Sequence, residues 1–217
     1  MSESARASLP RLVAITDLTL LAPDALVERL GRLARAAQPG SVALLLRDHA
    51  SSAKARFALG QRLRDLAQDS RQQLWVADRL DLALLLGADA VHLGEGSVSP
   101  STARSMVGSG IAISRAWHAP SLDGVPAAAE LAEVDALLVS PLLAPRKGRP
   151  ALGLPTLGVL GEQLRARNWA CQIYALGGIS AANAADCRSV GAHGVAAIGA
   201  ALSDDAEPLL AALQILR

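Results

Sequence analysis

Residues that can do chemistry recur at eight points in the chain, and each point directly follows a short apolar run. Charged or polar side chains occupy the first six points, and glycines occupy the last two. These residue types are suited to binding an anion, holding a divalent cation or transferring a proton. In chain order the points are Thr16-Asp17, Arg47-Asp48-His49, Asp78-Arg79, His92 with Gly94-Glu95, Ser114-Arg115 with His118, Ser140-Pro141 with Arg146-Lys147, Gly177-Gly178-Ile179, and Gly199.

The glycines at the last two points predict a phosphate site. Gly177 and Gly178 are adjacent, and Gly199 follows the next apolar run. Glycine lets backbone N–H groups approach an anion closely, and a following helix N-terminus adds positive potential. A tight turn that needs a positive φ is the alternative explanation. Because both points show the pattern, we predict that Gly177, Gly178 and Gly199 bind a phosphate group.

Three of the four histidines, His49, His92 and His118, lie at these points, whereas His193 precedes the last apolar run. Histidine titrates near neutral pH and therefore suits proton transfer. A structural role explains any one of the three equally well, so the residues alone leave both roles open.

Carboxylates at four of the points have two competing explanations. Carboxylate oxygens are the ligands that Mg²⁺ prefers in proteins. They can instead form ion pairs with the arginines at the same points. Because arginines are numerous there, we expect ion pairing rather than a metal site. The carboxylates are Asp17, Asp48, Asp78 and Glu95, and the arginines are Arg47, Arg79 and Arg115.

The apolar runs and the segments between them predict the fold. The runs are nearly continuous in Val, Leu, Ile and Ala, as in strands buried on both faces. The intervening segments have helical spacing, as at Leu26, Leu30 and Leu33, and one of these predicted helices covers residues 121–132. Alternating strands and helices indicate parallel βαβ units. The predicted strands are 12–16, 42–46, 73–77, 90–93, 111–114, 136–139, 172–176 and 194–198.

Eight βαβ units in 217 residues close more naturally as a single (β/α)8 TIM barrel than as an open doubly wound sheet, the main alternative. We predict an N-terminal extension over residues 1–10 and one α/β barrel domain over residues 11–217. In such a barrel the loops that follow the strands meet at one mouth, where chemistry takes place. The eight points should therefore converge.

Composition limits the partners. The net charge is +1 and charged residues make up 19% of the chain, so nothing indicates a nucleic-acid or membrane-surface partner. The two cysteines fit neither a metal spacing nor a disulfide framework. No apolar run approaches membrane length. We predict a cytoplasmic protein with a small-molecule ligand.

Several strings resemble the thiamine-phosphate synthase/TenI family. They are "ITD" (15–17), "LLRD" (45–48), "ADRLDLALLLGADAVHLGE" (77–95), "SP" (140–141) and "LGGISAANAADCRSVGAHGVAAIGA" (176–200). The resemblance runs from about Leu12 to Leu202 and is most specific over 78–94 and 176–200. It implies a (β/α)8 barrel, a thiazole phosphate bound at the glycine loops, and a homodimer.

The family has two branches. The synthase uses Mg²⁺ to join a pyrimidine pyrophosphate to the thiazole phosphate, and the TenI branch includes a thiazole tautomerase that needs no metal. The synthase's metal ligands are two aspartates, one matched by Asp78 and one, shortly after its "HLGQ" string, replaced here by Ser97. Its threonines before Lys147 are lost, and other synthase residues are replaced by Leu45, His49 and Ala77.

The string "SRAWHA" (114–119) resembles the TenI form of this loop, in which an arginine is followed three residues later by a histidine. That histidine is the proposed proton shuttle of the TenI branch, and it corresponds to His118. We therefore expect a metal-independent thiazole tautomerase without a cofactor, in which His118 is catalytic and aromatises a carboxythiazole phosphate. The expected substrate-binding residues are Arg47, Arg115, Ser140 and Lys147.

Two alternatives stay open. The first is a thiamine-phosphate synthase, a Mg²⁺-dependent transferase in which Asp78 would be a metal ligand. The second is a non-catalytic protein that binds thiazole or thiamine phosphates.

Overall fold

Eight parallel strands form a closed barrel in a computed structural model that describes residues 8–217, without the side chains of Pro126 and Ala127. Each strand pairs with the next along the chain, and the first pairs with the last through Leu12 and Val195. This closing pair excludes the open sheet and confirms the predicted barrel. The strands are β1 (Leu12–Ile15), β2 (Val42–Leu46), β3 (Gln73–Ala77), β4 (Ala90–Leu93), β5 (Ala112–Trp117), β6 (Ala136–Val139), β7 (Gln172–Leu176) and β8 (Gly194–Ala197).

Helices connect most of the strands and cover the outside of the barrel. They are α1 (Pro23–Ala36), α2 (Ala53–Ser70), α3 (Leu80–Leu85), α4 (Pro100–Val107), α5 (Pro155–Ala166), α6 (Ala184–Ser189), α7 (Gly199–Leu202) and α8 (Ala206–Ala212). The segment between β5 and β6 is instead a 3₁₀ helix, Pro126–Glu133. The helix predicted over 121–132 is therefore wrong in type and begins late. Its first residues form a turn, because the Gln163 side chain accepts a hydrogen bond from the Leu122 N–H (2.7 Å).

Alternate side chains of each strand point inward and fill the barrel. Trp75 and Tyr174 are the largest of these inward residues, and their rings meet edge to face with centroids 6.1 Å apart. The intervening side chains point outward and pack under the helices. Since strand side chains alternate with a period of two, the position of a residue within its strand decides whether it can face the mouth.

The end of the barrel opposite the mouth is closed by the chain that precedes β1. The Tyr174 hydroxyl donates to the Pro10 carbonyl (2.5 Å), and the Gln73 amide donates to the Ser8 carbonyl (2.7 Å). His193 lies here too, with Nε2 3.0 Å from the Leu9 carbonyl, as expected for a histidine that precedes a strand. Of the predicted extension 1–10, residues 1–7 lie outside the described residues.

Candidate functional site

Each loop at the mouth takes the number of the strand that it follows. Loop 7, the loop that follows β7, needs its two glycines for both conformation and packing. Gly177 and Gly178 have φ values of 102° and 75°, a region that favours glycine. A Cβ at Gly178 would lie 2.9 Å from the Ala144 Cβ, and one at Gly177 would lie 3.1 Å from the Leu142 nitrogen. Loop 7 therefore packs tightly against loop 6, the loop that follows β6.

Backbone N–H groups of loops 7 and 8 are free to bind a ligand. Within residues 8–217, the N–H groups of Gly177, Gly178 and Ile179 donate to no protein acceptor, and neither does that of Gly199. Nothing lies within 4 Å of a Cβ built at Gly199, so the space beside loop 8 is open. Unpaired N–H groups from adjacent loops can surround the oxygens of an anion.

His118 continues the inward row of β5 at the mouth. Its Nδ1 lies 2.5 Å from the backbone carbonyl oxygen of Ser140 and 3.3 Å from the Ser140 hydroxyl. A carbonyl oxygen only accepts hydrogen bonds, so we assign the proton to Nδ1. This tautomer leaves the Nε2 lone pair unpaired among the described residues. His118 is therefore oriented as a base.

His92, which points inward from β4, lies in the wall next to His118. Its Nδ1 is 2.9 Å from the Ser114 hydroxyl, which donates in turn to the Val91 carbonyl (3.3 Å). Burial lowers the pKa of His92 to about 4, so the imidazole is neutral at pH 7. Only the barrel geometry shows the bond between Ser114 and His92, because the two residues come from different strands.

Asp78 is held by its neighbours on loop 4, the loop that follows β4. Its Oδ1 accepts hydrogen bonds from the Gly94 N–H (3.0 Å) and from the Ser97 hydroxyl. Burial by itself raises the pKa of Asp78, but these two hydrogen bonds, together with the nearby His92 and His49, outweigh it and the net pKa is lowered. The carboxylate is thus ionised at neutral pH, and its Oδ2 lies 3.8 Å from the His49 imidazole.

The residues at this position do not fit the two-aspartate magnesium site that the family resemblance implies. The second carboxylate is absent because Ser97 stands there, and Ser97 bonds to the remaining one. In the part of the chain that the structure describes, no group of three or more His, Cys, Asp or Glu residues is arranged to hold a metal.

The expected ion pairs between the mouth carboxylates and Arg47, Arg79 and Arg115 are wrong. Asp17 accepts from the hydroxyl (2.6 Å) and the N–H (3.0 Å) of Thr19, and Asp48 accepts from the N–H groups of the next loop residues. Aspartate at the start of a loop bonds readily to backbone two or three residues onward, at little entropic cost. Arg79 pairs with Asp81, and Glu95 pairs with Arg149.

The loop-local bonding of the carboxylates leaves several cations at the mouth without a partner. Across the described residues, Arg47, Arg146 and Lys147 form no ion pair with a carboxylate within 4.0 Å. Arg47 follows the inward residues Ala43 and Leu45 of β2. These three side chains give the mouth a positive charge that is available to an anionic ligand.

Arg115 is not brought into this group. Strand β5 extends to Trp117, beyond the predicted end at residue 114, so Arg115 lies inside the strand. Its side chain alternates with Ser114 and points outward, and its guanidinium donates to the Val98 carbonyl (3.3 Å). The predicted substrate-binding role of Arg115 stays a prediction, and Ser140, also predicted to bind substrate, lies beside His118.

The closed barrel, the free N–H groups of loops 7 and 8 and the oriented imidazoles define a (β/α)8-barrel protein with a candidate anion site at its mouth. A sequence profile described as thiamine monophosphate synthase matches residues 12–201. The chain belongs to this family, whose proteins act in thiamine biosynthesis.

Relatives over most of the chain carry the same name. A thiamine-phosphate synthase from Thermus thermophilus is 36% identical over 176 residues, which cover 80% of this chain and 81% of the relative. One from Koribacter versatilis is 32% identical over 96% of both chains. These names do not support the expected closeness to the TenI branch, and they point to a transferase rather than an isomerase.

Solved structures show the same fold. Thiamine phosphate pyrophosphorylase from Pyrococcus furiosus has a TM-score of 0.78 at 24% identity, with 96% of this chain and 97% of that chain covered. A structure described as native KDPGal has a TM-score of 0.68 at 16% identity, over 94% of both chains. Among residues 8–217, no helix is long and apolar enough to cross a membrane.

Proposed function

We propose that the chain is a thiamine-phosphate synthase, a transferase that joins a thiazole phosphate to a pyrimidine pyrophosphate. The observation that carries this proposal is the set of relatives so named, which reach 32–36% identity and up to 96% coverage of both chains. It takes precedence over the tautomerase expected from the "SRAWHA" string, which covers six residues only.

The thiazole phosphate would bind at loops 7 and 8. There the unpaired N–H groups of Gly177, Gly178 and Gly199 can donate to phosphate oxygens without a side chain in the way. Backbone donors are fixed before the ligand arrives, so binding requires little reorganisation. The bound phosphate would place the thiazole ring toward the centre of the mouth.

The pyrophosphate group would lie on the cationic side of the mouth. When the bond to the pyrophosphate breaks, negative charge collects on the leaving group, and fixed positive charge stabilises it. Arg47 and Lys147 are suited to this role because neither is neutralised by a carboxylate in the described structure. We propose that these side chains stabilise the charge of the leaving group and that no metal ion is resident, because Ser97 replaces the second aspartate of the family pattern and hydrogen-bonds to Asp78.

A second candidate function, the thiazole tautomerase, is favoured by the geometry of His118. That reaction removes a proton from the ring carbon that bears the carboxylate and delivers one to the exocyclic alkene carbon. The Ser140 carbonyl fixes the tautomer of His118 so that Nε2 can take the first proton and return it to the second carbon. Arg47 or Lys147 would hold the substrate carboxylate.

One set of assays distinguishes these functions. The purified chain is incubated with thiazole phosphate and pyrimidine pyrophosphate, with and without Mg²⁺, and release of pyrophosphate is measured. The same chain is then incubated with the carboxythiazole tautomer, and aromatisation is followed by absorbance. Pyrophosphate release supports the synthase. Aromatisation alone would replace it with the tautomerase, and thermal stabilisation by thiazole phosphate without turnover would indicate the non-catalytic binder.

We also propose that the protein is cytoplasmic, as its composition indicates, and a homodimer, as the family resemblance implies. Light scattering on the purified chain at micromolar concentration tests the oligomeric state, and a monomeric mass would refute it.

A further inference from the structure

The tip of loop 6 is a small hairpin, residues 146–149, which we call the basic hairpin. Arg146 and Arg149 bond to each other through both backbone groups, at 3.1 and 3.0 Å. Lys147 and Gly148 form the turn between them, with φ values of 51° and 74°. Two positive φ values in succession are typical of the tight turns that close hairpins. The hairpin thus presents cationic side chains on a short, defined backbone.

The base of loop 6 is fixed to the barrel, whereas the tip depends on one side-chain contact. At the base, the Leu142 and Leu143 N–H groups donate to carbonyls of Leu176 and Gly177, both at 2.9 Å. At the tip, the Arg149 guanidinium donates to the Glu95 carboxylate of loop 4 (2.7 Å). This is the only ion pair that the basic hairpin makes with the described residues.

The contact places the basic hairpin at the mouth. Glu95 lies close enough to His118 for the imidazole to contribute to the lowered pKa of Glu95, although the hydrogen bond from Arg149 is the largest cause. Arg146 in turn contributes to the lowered pKa of Asp17 on loop 1, after the larger influence of Thr19. The ion pair with Glu95 therefore holds the basic hairpin beside loop 4, at the mouth.

We propose that the Glu95–Arg149 ion pair is a latch that holds the basic hairpin across the mouth. Glu95 and Arg149 are then positioning residues, and Arg146 and Lys147 are the side chains that they place against an anionic substrate group. The family string "HLGQ" has glutamine where this chain has Glu95, and loop 6 also differs from the family pattern. The latch therefore connects two regions in which this chain differs from the family. The identity of the anion rests on the proposed function, but the latch itself does not.

The variant Glu95→Gln removes the charge and keeps the size of the side chain. Exposed ion pairs contribute modestly, so we expect a change of about threefold to fivefold. Amide hydrogen exchange of Arg146 and Arg149, followed by NMR, should become faster by that factor. The affinity for inorganic pyrophosphate, measured by calorimetry, should weaken by the same factor. In turnover assays kcat/KM should fall by a similar factor, because Lys147 is then less well placed against the leaving group. The reversed pair, Glu95→Arg with Arg149→Glu, should restore slow exchange because the two opposite charges again meet.

A matched control is the Asp123–Arg167 ion pair, which lies away from the mouth at 2.8 Å with similar exposure. Asp123→Asn should leave hairpin exchange and pyrophosphate affinity unchanged. Unchanged exchange in Glu95→Gln would overturn the latch. Faster exchange with unchanged pyrophosphate affinity would overturn the positioning role. Absence of turnover in the wild type would refute the synthase proposal and would leave both of these measurements in place.

Discussion

The two halves of the mouth are built from different parts of the chain. Loops 7 and 8 offer backbone N–H groups, and their glycines are required by positive φ at Gly177 and Gly178 and by contact with loop 6. Loops 2 to 6 offer side chains, and their arrangement depends on which partner each side chain finds. The backbone half agrees with the family pattern, whereas the side-chain half departs from it at positions such as His49 and Ser97. A backbone site tolerates little local change, while a side-chain site can change its chemistry one residue at a time.

The largest effect is expected from His118→Gln. General acid–base catalysis typically contributes about 100-fold to 10,000-fold, so any tautomerase turnover should fall by at least about 100-fold. Transferase turnover should stay within about twofold, because that reaction does not depend on the imidazole. Both rates are measured on the same preparation, with His49→Gln as the control at the exposed mouth histidine. A large loss of transferase turnover alone would contradict the assignment of His118 to proton transfer.

Gly178→Ala tests the backbone half. The substitution puts a side chain at a φ of 75° and brings its Cβ into close contact with Ala144. The free energy of unfolding should therefore fall by about 2–4 kcal/mol. Thiazole phosphate binding should weaken in calorimetry as loop 7 moves. The control is Gly40→Ala, where φ is 72° but nothing lies within 4 Å of the new Cβ. This control should lower the free energy of unfolding by about 1–2 kcal/mol. Equal losses in the two variants would show that loop 6 adapts to the added atom.

His92 should make the stability of the barrel depend on pH. Burial lowers its pKa from 6.5 to about 4, so the unfolded chain binds a proton at a higher pH than the folded chain. The free energy of unfolding is therefore unaffected by His92 above pH 6.5. It falls by up to about 3 kcal/mol as the pH is lowered from 6.5 toward 4. Urea unfolding at several pH values should show this loss in the wild type and a smaller one in His92→Gln. Parallel curves for the two proteins would contradict a neutral buried imidazole.

The smallest effect is expected from Ser97→Asp, which adds a second carboxylate beside Asp78. The variant should gain Mg²⁺ binding, and at ten times the dissociation constant the stabilisation would be about 1.4 kcal/mol. Thermal unfolding with and without Mg²⁺ measures it. Ser101→Asp is the control, since it adds the same charge on α4 rather than beside Asp78. A wild type stabilised by Mg²⁺ as strongly as Ser97→Asp would contradict the proposal that no metal is resident.

The strands and the mouth are predictable from the sequence because both follow local rules. Buried parallel strands are continuous apolar runs, and residues after them must meet at one end of a barrel. The glycine pair is recognisable because two successive positive φ values leave few other choices. The segment 121–132 is wrongly predicted because its first turn is set by Gln163, a residue some forty positions away.

The sequence by itself thus determined the barrel and the points at which its loops carry chemistry. Both follow from the residue types and the spacing of apolar residues within short segments. Only the tertiary structure decided which side chains act together. Arg115 points outward because β5 extends past it. Asp17 and Asp48 accept hydrogen bonds within their own loops and therefore do not pair with the arginines. The Ser140 carbonyl fixes the tautomer of His118. Each of these outcomes depends on the distance and direction between groups from different strands or loops, which spacing along the sequence does not record.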